Sequence, residues 1–387
     1  ARGIKAIGAT ILPYGGSAYY HPDAQNEADR AAVNAWIRAP GNFDGVIDLD
    51  AALRDPAAPT RLRKEYDNDG LHPSMDGYRA MADAVPLSLF SDKVKDAGRV
   101  AAAPVGPAPM IAFTFDDLPA HAPLPEGQSR AGIAEQVIAA LKAGGAPAMG
   151  FVNGVQLERE PASAPVLGKW RAAGLTLGNH GWSHANLDQL SDAQFLAELE
   201  KNEPILAARM GAADWRWFRY PFLSEAATDP ARRARIRKLL AERGYKVATV
   251  TMDFSDWAYN DAYARCVARG DDDAILKMEH AWLGTAAVQA DRARAMSQAL
   301  YGRDIPYVLL LHLGAFDARM MPQLIALYRE KGYRFVSIDE AERDPYYASE
   351  VNPELVPQPQ GLNGAVAARG LAEPPAPALL PLETMCR

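Results

Sequence analysis

Cysteine is almost absent from this chain. Two occur in 387 residues, Cys266 and Cys386. They make no C-x-x-C spacing, so a thiolate metal centre is excluded, and two residues define no disulfide framework. Cys386 is the penultimate residue, in a stretch expected to be mobile. Long apolar runs are missing too: none reaches the roughly 18 residues of a membrane-spanning helix. Basic stripes are absent. With 41 Lys and Arg against 48 Asp and Glu the formal charge is −7, and the isoelectric point is near 5.6. Nucleic acid and an anionic membrane surface are therefore poor partners. No internal repeat is visible. No secretory leader opens the chain. Ala1 to Gly8 read instead as a helix end running into a buried strand, so a fragment or processed product is expected.

What is present is apolar mass. Hydrophobic residues make up 49 % of the chain, enough for large cores, and the length suits two domains. Three blocks separate by composition. In residues 1–90, positions 4–12 and Phe43–Leu49 read as strands. Asn26–Arg38 reads as a helix with Ala28, Ala31, Ala32, Ala35 and Trp36 on one side, and Ser74–Leu89 as a helix capped by Ser74. Residues 91–109, rich in Ala, Pro and Gly, read as a linker.

In residues 110–345 strands and helices alternate. Expected strands are Met110–Phe115, Met149–Val152, Leu175–Gly178, Trp215–Tyr220, Lys246–Met252, Tyr307–Leu311 and Phe335–Ile338. Expected helices are Ser129–Ala143, Ala164–Ala173, Asp192–Met210, Pro230–Arg243 and Pro322–Lys331. Such alternation implies parallel strands, and about seven units favour a (β/α) barrel over an open sheet. Residues 346–387 are proline-rich and read as a floppy or surface-wrapping tail.

Polar clusters stand at the ends of the expected barrel strands, where such folds place their chemistry. Asp116 and Asp117 close the first strand, and a divalent cation would offset their mutual repulsion. His180 and His184 have a spacing that lets two imidazoles converge on one ion. Two His and one Asp leave coordination positions open, as catalytic sites require. Arg219 could orient a carboxylate. Asp253 and Asp256 follow the fifth strand, and His312 ends an apolar one, placed for a general acid. Singly, each has a plainer reading: a solvated acidic pair, surface histidines, an ordinary salt bridge, a satisfied core histidine. Their order along successive strand ends favours one shared rim.

These segments resemble the five motifs of the NodB-homology polysaccharide deacetylases, over roughly residues 110–340. Thr114-Phe115-Asp116-Asp117 resembles the first, implying Asp116 as base and Asp117 as metal ligand. His180-Gly181-Trp182-Ser183-His184 resembles the second and implies both metal histidines; the family usually has Thr or Ser where Gly181 stands. Arg219-Tyr220-Pro221-Phe222 resembles the third, with Arg219 orienting the base. Asp256-Trp257 resembles the fourth, Asp256 tuning the histidine, with Asp253 as a competitor. Leu311-His312 resembles the fifth, with His312 as acid and Leu311 lining an acetyl pocket. Leu118-Pro119 departs from the usual Gly-Pro. The resemblance implies a distorted barrel of about seven strands. It also implies a pocket including Tyr220, Pro221, Phe222, Trp257 and Leu311, and one divalent ion, Zn2+ first, with Co2+, Ni2+ or Fe2+ as alternatives. The implied activity is removal of N- or O-acetyl groups from a carbohydrate outside the cytoplasm, extracellular or periplasmic.

Asp69-Gly70-Leu71-His72-Pro73 resembles the last motif of SGNH (GDSL-type) hydrolases, so residues 1–90 are expected to be a partial three-layer α/β segment. Asp and His three apart can supply two members of a catalytic triad. The family's Gly-Asp-Ser nucleophile is not found before Asp69, and Ser17 follows Gly15-Gly16 in a different context. Two further readings follow: a serine esterase working through this block, or a non-catalytic carbohydrate-binding barrel.

Overall fold

The computed structural model describes residues 6–86, 89, 108–377 and 379–387. Most of the expected linker lies outside these. Contacts divide the chain into two compact units, Ala1–Pro104 and Val105–Arg387.

The first unit contains β1 (Ile7–Ala9), α1 (Ala24–Arg38), β2 (Gly45–Ile47), α2 (Leu49–Leu53) and α3 (Met75–Asp83). β1 and β2 pair in parallel, Ile7 opposite Gly45. Among the described residues the expected three layers come down to this pair and its helices. The face expected to bury on α1 is the wrong one: Trp36 is 56 % exposed, and the buried residues are Arg30, Asn34 and Ile37. Charge pairing explains the rotation. Asp50 is buried and receives Arg30 at 2.7 Å, Arg38 at 2.5 Å and Arg54 at 3.1 Å. A buried carboxylate without such partners would cost several kcal/mol, roughly more than a few alanines gain by burial. Ser74 caps α3 by accepting from the Gly77 N–H. That helix stops at Asp83, well short of Leu89, because Pro86 disfavours helical backbone just before it.

The second unit is built on β3 (Met110–Leu118), β4 (Ala148–Val152), β5 (Thr176–Asn179), β6 (Trp217–Phe218), β7 (Lys246–Val247), β8 (Tyr307–His312) and β9 (Arg334–Phe335). All pairings are parallel, in the order β7-β6-β5-β4-β3-β8, with β9 also on β3. β7 leaves its pairing with β6 after Ala248, and the chain reaches β8 by a bridge between Met252 and Leu309. That irregular step closes the sheet into a distorted barrel of seven strands. β4 and β8 are buried along their whole length, as expected of strands with a core inside and helices outside.

The helices are α4 (Arg130–Ala143), α5 (Val155–Arg159), α6 (Pro165–Ala172), α7 (Asp192–Met210), α8 (Pro230–Glu242), α9 (Ala258–Arg269), α10 (Asp272–Tyr301), α11 (Ala315–Glu330), α12 (Ile338–Ala341), α13 (Ala348–Val351) and α14 (Gly361–Ala368). Sequence periodicity missed α9 and the 30-residue α10. It also started α11 at Pro322, because proline usually marks a first turn. The helix begins at Ala315 and runs through the proline, its apolar face held by Phe316, Met321, Leu324 and Tyr328 in the core. The last expected strand is shorter, and Ser337 caps α12 instead.

The proline-rich segment wraps the surface of this unit rather than hanging free. Leu362, Ala365, Val366 and Leu382 are buried in the core. Arg265 donates to the carbonyls of Leu382 and Met385. Cys266 and Cys386 form a disulfide, a pairing the residue count alone did not define. It closes a loop of 120 residues. Cys386→Ser should therefore lower stability by about 2–4 kcal/mol, read as a lower urea midpoint under non-reducing conditions. An unchanged midpoint would mean that packing alone holds the segment.

Candidate active site

Adjacent residues of a strand point to opposite faces, so Asp116 and Asp117 should diverge. They do not, because β3 slips register against β4 between Phe115 and Leu118. Asp117 sits there with φ +63°, a left-handed conformation that Asp tolerates better than most residues. The irregularity re-aims its carboxylate into the pocket already faced by Asp116. On the other side of β3, Asp116 is in register with His312 of β8.

Arg219 stands behind Asp116, buried to 1 % exposure. Its Nη1 donates to Asp116 Oδ1 at 3.1 Å, its Nη2 to Thr114 Oγ1 at 3.1 Å, and its Nε to the Ala248 carbonyl at 2.5 Å. Thr114 and Asp116 are two apart on one strand face, so the flat guanidinium spans both. Its other face lies 4.7 Å from the Phe151 ring centroid.

His180 and His184 lie on a tight loop after β5. His180 Nδ1 donates to the Arg219 carbonyl at 2.8 Å, which leaves Nε2 free on the pocket side. His180 Nε2 is 3.6 Å and His184 Nε2 3.3 Å from Asp117 Oδ1. Gly181 has φ +72°, a conformation that the usual Thr or Ser would adopt less readily. Three buried asparagines that the sequence did not single out shape this loop. Asn153 donates to the carbonyls of His180 and Gly181 at 2.7 and 3.1 Å. Asn202 donates to Asn179 at 2.9 Å, and Asn179 accepts from the Gly181 N–H at 2.9 Å. Glu198 takes the Ser183 N–H at 2.6 Å.

Asp117 Oδ1 is buried without a hydrogen-bond partner, between two imidazole nitrogens. An orphaned carboxylate oxygen facing two such donors suits a divalent cation. Asp117, His180 and His184 place one ligand atom each within 4.8 Å of one another. A second set, Asp117, His121 and His312, is similarly close. Burial would lower the His312 pKa, but the Asp256 carboxylate pushes it up to about 10. A protonated imidazole repels a cation, so the first set is the better seat. Burial would raise Asp117, yet the His121 hydrogen bond and the surrounding histidines hold it well below the ordinary carboxylate range. His184 is lowered to about 4 by burial and by His180, which keeps it neutral and able to ligate.

Of the two candidates after the fifth strand, Asp256 is the one that touches His312. It accepts from the His312 N–H at 2.6 Å and pairs with Nδ1 at 3.0 Å. Behind it lies Asp317, whose carboxyl burial and the Asp256 charge push far above its usual range. Asn260 donates to Asp317 at 2.8 Å. Asp253 instead lines the pocket, accepting from the Ser255 N–H at 2.8 Å.

The pocket holds about 390 Å³, and its walls include Phe222, Trp257, Leu310 and His121. Three expected members are elsewhere. Leu311 is wholly buried in the core, because strand alternation turns Leu310 and His312 inward together. Tyr220 packs on Phe195 and Phe218, and Pro221 is buried. Phe222 and Trp257 stay 64 % and 52 % exposed at the rim. His121 was missed although it follows Asp117 by four, the spacing of the His180/His184 pair. Its Nδ1 is 2.9 Å from Asp117 Oδ2, and its ring lies 4.5 Å from that of His312.

Residues 104–248 match the polysaccharide deacetylase family model. The chain carries a polysaccharide deacetylase domain. The family comprises hydrolases of acetylated sugars. The match spans the segments with Asp116, Asp117, His180, His184 and Arg219 and ends before Asp256 and His312, which only the fold brings to the same place. Residues 1–80 match the GDSL-like lipase/acylhydrolase family model.

Solved structures with some likeness include a family 4 carbohydrate esterase from Streptomyces lividans in complex with acetate. It shows 20 % identity over 60 % of this chain and 95 % of that one, TM-score 0.40. The polysaccharide deacetylase of Bacillus cereus shows 21 % identity over 59 % and 91 %, TM-score 0.40. A CE4 family pseudoenzyme from Bacillus anthracis shows 16 % over 61 % and 66 %, TM-score 0.43.

In the first unit Asp69 and His72 do meet, His72 Nδ1 lying 2.8 Å from Asp69 Oδ2, and both are exposed. Ser17 is buried and its Oγ accepts from the N–H groups of Tyr19 and Tyr20, so it is not presented as a nucleophile.

The asparagine scaffold yields a test. Asn153→Ala should weaken Zn2+ binding about tenfold or more through loss of loop support, measured by competition with a chromophoric chelator. Unchanged affinity would make Asn153 a structural residue only.

Proposed function

We propose that the second unit is a metal-dependent hydrolase that removes acetyl groups from a carbohydrate. The observation that carries this reading is the orphaned Asp117 oxygen facing two imidazole nitrogens, with the Arg-held Asp116 beside it. Asp117, His180 and His184 would hold the ion; Zn2+ suits this mixed N/O set, and Co2+, Ni2+ or Fe2+ are alternatives. When bound, such an ion supplies Lewis-acid polarisation of the acetyl carbonyl and acidifies water.

The chain's own residues do the rest. Asp116 accepts a proton from the attacking water, and Arg219 keeps its carboxylate fixed in direction. His312, carrying its proton on the pocket side, donates it to the departing amine or alcohol. Asp256 fixes the ring through Nδ1 and stabilises the charged imidazolium. Phe222 and Trp257 offer faces for a sugar ring, while Leu310 borders the acetyl methyl. The Asp69–His72 pair in the first unit supports no serine esterase reading, since no presented Ser stands with it among the described residues.

His180→Ala should abolish both Zn2+ retention and acetate release from acetylated chitin oligomers, peptidoglycan or xylan, checked by metal analysis and an acetate assay. Full activity of a metal-free variant would refute the proposal. A second test uses pH. The folded pKa of His312 is raised, so its acid form persists through neutrality and is lost only near pH 10. Asp256→Asn removes the group that raises it. The alkaline limb of the kcat/KM profile should then move to lower pH; an unmoved limb would mean that His312 is not the acid.

A further inference from the structure

Asp117 has two carboxylate oxygens, and histidines approach both. Oδ1 faces His180 and His184, the metal seat argued above. Oδ2 meets His121 Nδ1 at 2.9 Å. His312 joins that side: Asp117, His121 and His312 each place a ligand atom within 4.8 Å of the others. Both groups border the same pocket. The deacetylase reading uses His312 as acid and leaves His121 without a task.

His121 is fixed by its surroundings. Arg130 Nη1 donates to its carbonyl at 2.5 Å, and Arg130 Nε is held by Glu160 at 3.0 Å. The side chain is 14 % exposed. Its ring lies 4.5 Å from that of His312, tilted by 36°. His312 is fixed as well. Asp256 takes its Nδ1, which leaves Nε2 for the pocket. Bracing Asp117 would need one imidazole. Two fixed imidazoles beside one carboxylate, with room left for water, are the N/O donor set of a divalent cation.

Charge permits a second cation here. Asp116, Asp117 and Asp253 line the pocket, and Asp256 stands behind His312. Arg219 is the buried guanidinium set against them. An ion in this seat takes the lone pair of His312 Nε2. That nitrogen then carries no proton, so one proton leaves to solvent as the ion binds. Displacing it makes this seat weaker than the first. It also means that the ion and the acid's proton exclude each other.

We propose that Asp117, His121 and His312 form a second, weaker divalent-cation seat that shares Asp117 with the first. An ion there switches the enzyme off by occupying the nitrogen that protonates the leaving group. This rests on the deacetylase reading and adds control by metal level to it.

The test starts from enzyme carrying one Zn2+ and dialyses it against rising buffered free Zn2+. Bound zinc per chain is counted, and acetate release from an acetylated chitin tetramer is measured, at each step. Wild type should take up a second ion. Over the same range acetate release should fall about tenfold or more, since a general acid supplies roughly 10²–10⁴ of the rate. His121→Gln keeps an N–H for Asp117 but has no imidazole. It should need about tenfold or more free Zn2+ for the second ion and for half-inhibition of its own one-ion rate, because even an outer partner of a metal is worth about 10–100-fold in affinity. His72→Ala, at the exposed Asp69–His72 pair, should leave the second uptake as in wild type. If His121→Gln also loses the first ion, wild type loaded with Co2+ decides. Two ions sharing Asp117 should give a spin-coupled EPR signal, and two independent signals would overturn the seat. Four other results would overturn it and leave the deacetylase reading standing: wild type that stays at one ion, second uptake unchanged by His121→Gln, second uptake removed by His72→Ala, or a second ion without inhibition. One-ion enzyme that releases no acetate would overturn the deacetylase reading, and the second seat with it.

Discussion

Two carboxylates on successive residues cannot both be buried without compensation, and the second unit is organised around that constraint. A register slip in β3 turns Asp117 to the same side as Asp116. Each charge is then met separately. Arg219 crosses the barrel interior to Asp116 and is itself fixed by Thr114 and by the Ala248 carbonyl. Asp117 is met by His121 on one oxygen and faces His180 and His184 with the other. The carbonyl of the same arginine orients His180, so one residue couples the base to the ligand set. Replacing the Arg219 side chain would leave Asp116 a buried charge without its partner, while the backbone carbonyl of residue 219 would still face His180.

The same economy operates at His312. Its imidazole meets Asp256, which lies against Asp317, whose carboxyl is pushed far above its usual range and is held by Asn260. Four polar groups stand in a row inside an otherwise apolar wall. Low local polarity strengthens each link, and leaving any one unpaired would be costly. α9 supplies Asn260 and α11 supplies Asp317, so helices far apart in sequence set the state of one histidine.

Much of this was legible beforehand. Strand ends pointed to Asp116, Asp117, His180, His184, Arg219 and His312, and the fold gathers them around one pocket because parallel α/β units bring their strand ends to one rim. Helix starts were also legible: Ser74 caps α3 as expected, and Ser129 and Ser191 cap α4 and α7. Legibility failed where tertiary pairing outweighs local pattern. The alanine-rich face of α1 points to solvent because Asp50 draws Arg30 inward. Leu311 gave way to Leu310 because alternation relative to His312, not motif adjacency, sets which side chain lines the pocket. His121 and the three asparagines had no periodic signature at all.

The sequence by itself determined the barrel class and the identity of the chemically competent residues, since strand periodicity and side-chain type are local properties. Only the tertiary structure decided which of Asp253 and Asp256 meets His312. It also decided that two neighbouring aspartates face one pocket, that Cys266 pairs with Cys386, and that the proline-rich segment wraps the second unit. The reason is common to all four. Each depends on a contact between groups distant in the chain, or on a backbone irregularity that such contacts stabilise, and residue order does not encode distances in space.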